Sequence, residues 1–416
     1  LDVLRRVFTQ GAFASILLRN TLEQHADLSG SDRALVTELV YGVLRRRGHL
    51  DRALTKAAKK RLKDLDPRLH DVLRLGAYQL MFLDRVPDHA AVSEAVEQAK
   101  VRLGPRGGNQ TNAILRNLAA TPPDARLSTP PSFEKEPARH VQEVGGIPLA
   151  LAEILVRDLG ADRALAFVKA SLLIAPLTLR ANRLKTTREA LRSEVGGEPG
   201  IHPWSVRLPA GGGVLPADLL PVEEGRATPQ DEASMMVVDL VAAEPNERIL
   251  DVCSAPGGKT TMIAEVMNDT GSIVAHDRLP ERLLRTKNLA DRLGLRSITT
   301  RDILPRADDP PFDRVLVDAP CSGLGTLRRH PEIRWRFEPE QLESLAQVQR
   351  SVLEDGMKRV RVGGVLIYSV CTVTRAEGED RVQSLDGFER IGALFTSPAD
   401  PGAPDGFFAA KFVRRR

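Results

Sequence analysis

The stretch ERILDVCSAPGGKT, residues 247–260, decides the fold. In it an apolar β-type run passes through a proline-glycine-glycine turn into the start of a helix. Further runs of the same type follow at SIVAHD (272–277), SITTRD (297–302), FDRVLVDAP (312–320) and GGVLIYSV (363–370), with helical patterns between them. Strand and helix alternating from about Gln230 onward predict a Rossmann-like, doubly wound α/β core. In such sheets ligands lie outside the carboxyl ends of the strands, near the point where strand order reverses.

Upstream, the pattern changes. Residues 1–125 read as an all-helical domain: Leu35, Val36, Leu39, Val40, Val43 and Leu44 recur at helical spacing behind a cap at Ser31, and Ala91, Val92, Ala95, Val96 and Ala99 repeat the pattern. The prolines of TPPDARLSTPPSFEKEP (121–137) remove backbone donors and predict a linker over 126–146. Residues 147–228, with a helix at 148–170 and a strand at 177–185, read as a small α/β subdomain leading into a catalytic domain at 229–416.

Composition bounds the function. A chain of 416 residues is long enough for two or three domains, each with its own core. No apolar stretch approaches the ~18 residues of a membrane span, so no membrane partner is expected. The three cysteines, Cys253, Cys321 and Cys371, form no C-x-x-C pair, which argues against a metal site or disulfide framework and for a reduced, cytoplasmic setting. A monomer is expected.

Charge is unevenly distributed. Residues 1–120 hold 20 Lys/Arg against 13 Asp/Glu, whereas the whole chain is only +4. Within 45–63, Arg45, Arg46, Arg47, Arg52, Lys56, Lys59, Lys60, Arg61 and Lys63 face a single acid, Asp51. We assign Arg45, Arg46, Arg47, Lys59, Lys60 and Arg61 to a surface that faces nucleic-acid phosphates, and Arg328, Arg329 and Arg334 to the phosphates around a target base. Aromatic residues make up only 4% of the chain, so phosphate contacts rather than base stacking are expected to carry affinity.

The turn at Ser254, Ala255, Pro256, Gly257, Gly258 and Lys259 is neither a Walker A loop nor a G-x-G-x-x-G dinucleotide turn. Its glycines allow close backbone approach, and the helix behind it offers unpaired N–H groups to an anionic ligand. Asp277 ends the second strand, where a carboxylate accepts from both ribose hydroxyls. Asp302 ends the third, within reach of an adenine amino group. Together these positions describe an adenosyl group across the sheet top.

A strand order of 3-2-1-4-5 makes the fourth and fifth strands neighbours. It therefore brings Cys321, in VDAPCSGLGTLRRH (317–330), to the same cleft as Cys371, in GGVLIYSVCT (363–372), with Asp318 beside them. Thiols beside a methyl donor have a specific use. Carbon 5 of cytosine is a poor nucleophile until a thiolate adds to carbon 6, after which it can attack the sulfonium methyl of S-adenosylmethionine. Hydrogen bonding at N3 by Asp318 stabilises the adduct. Chemistry alone leaves open which cysteine adds, because a Pro-Cys nucleophile, as in Pro320-Cys321, serves DNA cytosine methylases.

DVCSAPGGKT, VDAPCSGLGTLRRHPEIRW and YSVCT, in this order, resemble the RNA cytosine-5 methyltransferases of the Sun/Fmu (NOL1/NOP2/Sun) family, in its bacterial small-subunit rRNA branch. The helical N-terminal part resembles the NusB-like RNA-binding domain of that branch. The resemblance implies S-adenosylmethionine as cofactor, 16S rRNA as partner, Cys371 as nucleophile and Cys321 as the group that assists product release. It also implies a cofactor site from Cys253 to Lys259 with Asp277, Asp302 and Asp318. Two other readings stand beside it: a non-catalytic RNA-binding or ribosome-assembly factor, and a methylase of tRNA or DNA.

Overall fold

The computed structural model describes residues 1–25, 27–209, 218–306 and 308–416. The chain divides into two compact units: Leu1–Leu173 with Leu327–Arg336, and Ile174–Thr326 with Phe337–Arg416.

The first unit is helical. Helix Gly30–Ala58 starts at Ser29, whose side chain accepts from the Asp32 N–H at 3.2 Å; Ser29 and not Ser31 is the cap, because only the N-cap side chain reaches back to the first-turn donors. This helix packs against Pro67–Phe82 at Gly42, where any Cβ would run into the Tyr78 ring. Helix Asp88–Ala120 is kinked at Gly104, with φ 65°, ahead of Pro105.

The proline-rich stretch holds a helix, Pro137–Gly145, with Pro137 in its first turn, where a missing N–H costs nothing. That helix docks on Gly30–Ala58: His49 Nε2 lies 3.2 Å from Val144 O, and Arg52 donates to Glu143 O at 2.8 Å. Gly146 backbone approaches Gly48 too closely to admit a side chain. Helices Leu149–Leu159 and Ala161–Ser171 follow and belong to the same compact unit, which runs to Leu173. Proline content marks where the chain turns, not where packing ends.

The second unit opens with a four-stranded antiparallel sheet of β1 (Leu177–Ala181), β2 (Glu198–Pro199), β3 (Ser205–Leu208) and β4 (Ala227–Pro229), in the order β2-β3-β1-β4. The main sheet contains β5 (Arg248–Asp251), β6 (Ser272–His276), β7 (Ile298–Arg301), β8 (Phe312–Asp318), β9 (Val360–Val370), β10 (Phe388–Thr396) and β11 (Phe407–Arg414). Its order is β10-β11-β9-β8-β5-β6-β7. Strands β5 to β9 are mutually parallel in the expected 3-2-1-4-5 order, and β11 and β10 extend the edge antiparallel.

Alternate residues of the central strands feed opposite faces. Ile249, Leu316 and Ile367 pack with Ile263 and Val237, while Leu250, Val315, Val317 and Leu366 pack with Leu353 and Phe412. Each such side chain contributes roughly 1.5–3 kcal/mol on burial. A sheet covered on both faces needs these near-continuous apolar runs. It also leaves its polar chemistry to the strand ends.

Candidate active site

β5 ends at Asp251, and the chain turns through Gly257 at φ 103° before helix Gly258–Val266 begins. A Cβ at Gly257 would be strained and would lie 3.0 Å from Thr286, whereas one at Gly258 would meet nothing closer than Gln230 at 3.7 Å. A side chain at Gly258 would therefore make only ordinary contact with Gln230. Ser254 Oγ and Asp251 Oδ1 are buried there without a hydrogen-bond partner among the described residues. The other oxygen of Asp251 accepts from Thr260 Oγ1 at 2.7 Å.

Burial pushes the Asp251 carboxyl up to about 7, aided by the Asp318 charge and opposed by the Thr260 hydrogen bond. Burial also raises the Cys253 thiol, with the carboxylates of Asp251, Asp318 and Asp277 adding to the effect. Cys253 is thus a protonated wall residue. Asp277 follows β6 directly and is buried, with Arg282 3.3 Å from its Oδ2 and the Leu279 N–H donating to its Oδ1. Asp302 follows β7 and is exposed. A buried acid one strand along, a left-handed glycine turn leading into a helix start and two orphaned buried oxygens fit an adenosyl cofactor with a charged amino-acid end.

Asp318 ends β8, and its strand partner in register is Ser369 on β9. Both carboxylate oxygens are engaged: Ser369 Oγ donates to Oδ1 at 2.6 Å and Lys259 Nζ to Oδ2 at 2.7 Å. Burial works against the Lys259 ammonium, but its pairing with Asp318 carries it above its ordinary value, with a smaller contribution from Cys371.

Cys371 comes one residue after β9 and Cys321 three after β8, and their sulfurs lie 3.2 Å apart. The hydrogen bond to Cys371, then burial, then charge at Cys371 and Glu377, hold the Cys321 thiol well above its usual range. The structure thus brings Cys321, Cys371, Asp318 and Lys259 together at the carboxyl ends of adjacent strands.

The arginine assignments need correction. Arg334 is fully buried and donates to three backbone carbonyls, Arg45 O at 3.0 Å, Ser171 O at 3.1 Å and Leu327 O at 3.2 Å. Arg45 is buried as well and donates to Arg328 O. Arg46 lies over the Phe82 ring and Arg47 over Phe8 and Trp335, both half-buried. Arg334 and Arg45 hold the 327–336 segment within the first unit, so these two are committed to backbone carbonyls rather than to phosphate, while Arg46 and Arg47 keep part of their surface open. Lys59, Lys60 and Arg61 are exposed, with Arg61 bridged to Asp64. Arg328 and Arg329 are half-buried.

Two residues had no signal in the sequence pattern. Arg180 on β1 is 1% exposed and donates to Gly258 O at 2.8 Å and to Glu265 Oε1 at 2.6 Å, tying the small sheet to the cofactor helix. Glu377, fully buried, accepts from the residues that follow both reactive cysteines. Each is a lone charged residue whose partners are remote in sequence or in a loop, so no periodicity marks it.

The parallel sheet, glycine turn and strand-end acids define an S-adenosylmethionine-dependent methyltransferase. Two matches refine that class: residues 238–387 match the 16S rRNA methyltransferase RsmB/F family, and residues 1–120 match the NusB family. The chain is 33% identical, over 92% of its length and 86% of the relative's, to a Bacillus subtilis protein named "Probable ribosomal RNA small subunit methyltransferase B". It is 31% identical to the ribosomal RNA small subunit methyltransferase B of Escherichia fergusonii, covering 100% of this chain and 97% of that one. The chain belongs to the RsmB/F family of rRNA methyltransferases.

Solved structures agree on the fold. The crystal structure of PH0851 has a TM-score of 0.79 at 23% identity, covering 96% of this chain and 94% of that one. NSun6 from Pyrococcus horikoshii, solved with SFG, has a TM-score of 0.56 at 21% identity and covers 64% of this chain and 97% of that one. Among the described residues, no helix is long and apolar enough to cross a membrane, and no group of three or more His, Cys, Asp or Glu is arranged to hold a metal ion.

Proposed function

We propose that the chain methylates carbon 5 of a cytosine in 16S rRNA through a transient bond between Cys371 and carbon 6 of the base. The observation that carries this reading is the pair of sulfurs, 3.2 Å apart, at the ends of neighbouring parallel strands and beside the Lys259–Asp318 pair. S-Adenosylmethionine, when bound, supplies an electrophilic methyl group. The Cys253–Lys259 turn and Asp277 would hold it, and Asp302, just past β7, would be the acid for its base.

Two thiols in contact share their protons unequally. The contact with Cys371, burial and the charge of Glu377 hold the Cys321 thiol above its usual range, so Cys321 is the poorer nucleophile of the pair and Cys371 is read as the sulfur that adds. As the Cys371 S–C6 bond forms, charge moves through the ring towards N3. The Lys259 ammonium, held in place by Asp318, is the donor that can stabilise that charge. Carbon 5 then gains the methyl group, a base (solvent water or hydroxide entering the cleft) takes the proton from carbon 5, and the electron pair of that C–H bond re-forms the C5–C6 double bond as the C6–S bond breaks to return the Cys371 thiolate. Cys321, adjacent to that bond, assists the last step.

The test is direct. The protein is incubated with labelled donor and separate pools of 16S rRNA, tRNA and DNA, and the product is mapped by bisulfite sequencing. We expect 5-methylcytosine in 16S rRNA only, no transfer by Cys371→Ala, and a covalent protein–RNA adduct accumulating with Cys321→Ala. Reversal of the two cysteine phenotypes would exchange their roles. A product labelled elsewhere on the base would end the adduct mechanism.

A further inference from the structure

We propose that Glu377 is the positioning residue that sets the spacing and orientation of the two reactive sulfurs. The inference rests on the reading of Cys371 and Cys321 given above, and it starts from a geometric fact. The cysteines sit on loops that leave different strands, yet one carboxylate binds the residue after each of them.

Glu377 Oε1 accepts from the Ser322 N–H at 2.7 Å and from Gln349 Nε2 at 3.2 Å. Its Oε2 accepts from Ser322 Oγ at 2.6 Å, Thr374 Oγ1 at 2.8 Å and Thr372 Oγ1 at 3.1 Å. Ser322 follows Cys321 and Thr372 follows Cys371. Their hydroxyls also lie 3.1 Å from each other. Gln349 reaches further, donating to Pro320 O at 3.0 Å, so the Cys321 loop is held on both sides of the sulfur.

The clamp itself is anchored. Tyr368, buried on β9, donates through its hydroxyl to Glu377 O at 2.7 Å, which fixes the backbone that carries the carboxylate. Glu377 is 0% exposed, and all five groups donating to its side chain are neutral. Burying a carboxyl group in this way is costly unless donors fill its lone pairs, and here they do. A fold that only needed to close two loops could use apolar packing at no such cost. A carboxylate adds direction: each of its oxygens fixes an angle as well as a distance.

Glu377 also lies close enough to Cys321 to act on it electrically, as one of the charges that raise the Cys321 thiol. It therefore helps keep the proton on Cys321.

Glu377→Ala and Glu377→Gln separate positioning from simple stability. The glutamine keeps one oxygen for the Ser322 and Gln349 donors, and its NH2 faces hydroxyls that can turn to accept. We expect Glu377→Gln to stay within about threefold of wild type and Glu377→Ala to lose kcat by about tenfold or more, with KM for RNA and calorimetric affinity for S-adenosylmethionine little changed. A second readout needs no RNA. Diamide takes two electrons and two protons from a close thiol pair, becoming a hydrazine and leaving an S–S bond, and the rate of thiol loss reports how often the sulfurs meet. Glu377→Ala should slow the loss of two thiols per chain by about tenfold.

A folded Glu377→Ala protein with wild-type kcat and wild-type oxidation rate would overturn the proposal. If Glu377→Ala does not fold, Ser322→Ala removes one arm of the clamp while leaving the other donors, and it should shift both readouts in the same direction. Wild-type protein that makes no 5-methylcytosine would defeat the cytosine reading and not this one, because the oxidation arm is independent of the reaction.

Discussion

At the level of single residues, the site is a set of polar groups kept out of water for a purpose. Asp251 is the plainest example. It is buried beneath the cofactor turn, one oxygen has no partner among the described residues, and its carboxyl titrates near 7 because burial disfavours the charged form. A carboxyl raised in the folded state keeps a proton that the unfolded chain has lost, so this group's contribution to stability is full below about pH 4 and declines as pH rises towards 7. The full decline is on the order of 4 kcal/mol for a shift of about three units. Asp251→Asn should therefore be more stable than wild type at pH 8 but not at pH 4, as read by urea unfolding of the cofactor-free protein. A difference that did not change with pH would show that Asp251 is not the titrating group. Cofactor addition should narrow the gap at pH 8, since a bound cationic amino group would pair with the ionised acid.

Among elements, position relative to a strand end decides which residues a sequence pattern can locate. Cys321, Cys371, Asp318 and Asp277 are legible because each sits at or just beyond the carboxyl end of a strand in the parallel sheet, and the strand runs of that sheet are strongly apolar. Topology then brings the fourth and fifth strands together and the sulfurs to 3.2 Å. The antiparallel edge strand β10 is not legible in the same way, because Phe388–Thr396 alternates weakly and lies mostly exposed. Nor is Arg180. Its role depends on β1 of one sheet meeting the first turn of the helix that leaves another. That pairing is buried and ionic, so it is sensitive to truncation. Arg180→Met leaves Glu265 buried without its cation, a loss of roughly 3–5 kcal/mol. It should also weaken S-adenosylmethionine binding, since Gly258 O loses its donor at the helix start. Calorimetry and unfolding measure both; an unchanged affinity in a destabilised protein would confine Arg180 to a structural role.

Over the whole chain, charge and architecture have to be read together. The basic run at 45–63 looks uniform in sequence, but helix Gly30–Ala58 divides it. Arg45, Arg46, Arg47 and Arg52 point into the helical unit, where they meet carbonyls, rings and Glu143, while Lys59, Lys60, Arg61 and Lys63 lie past the helix end and are exposed. A residue's charge predicts an anionic partner only if solvent reaches it. Arg334 shows the same division: burial, then the charges of Arg45 and Arg46, lower its guanidinium to about 9, an environment no phosphate shares. Two variants should therefore behave in opposite ways. Lys59, Lys60 and Lys63 changed together to Ala should keep the melting temperature and flatten the slope of log affinity for 16S rRNA against log salt, by up to about 0.7–0.9 for each phosphate no longer neutralised. Arg334→Ala should destabilise the protein by roughly 2–5 kcal/mol, because three buried carbonyls lose their donor, yet leave that slope unchanged at temperatures where it is folded. If the lysine triple variant kept the wild-type slope, RNA would be held elsewhere on the chain and the exposed end of the basic run would be only a solvated surface.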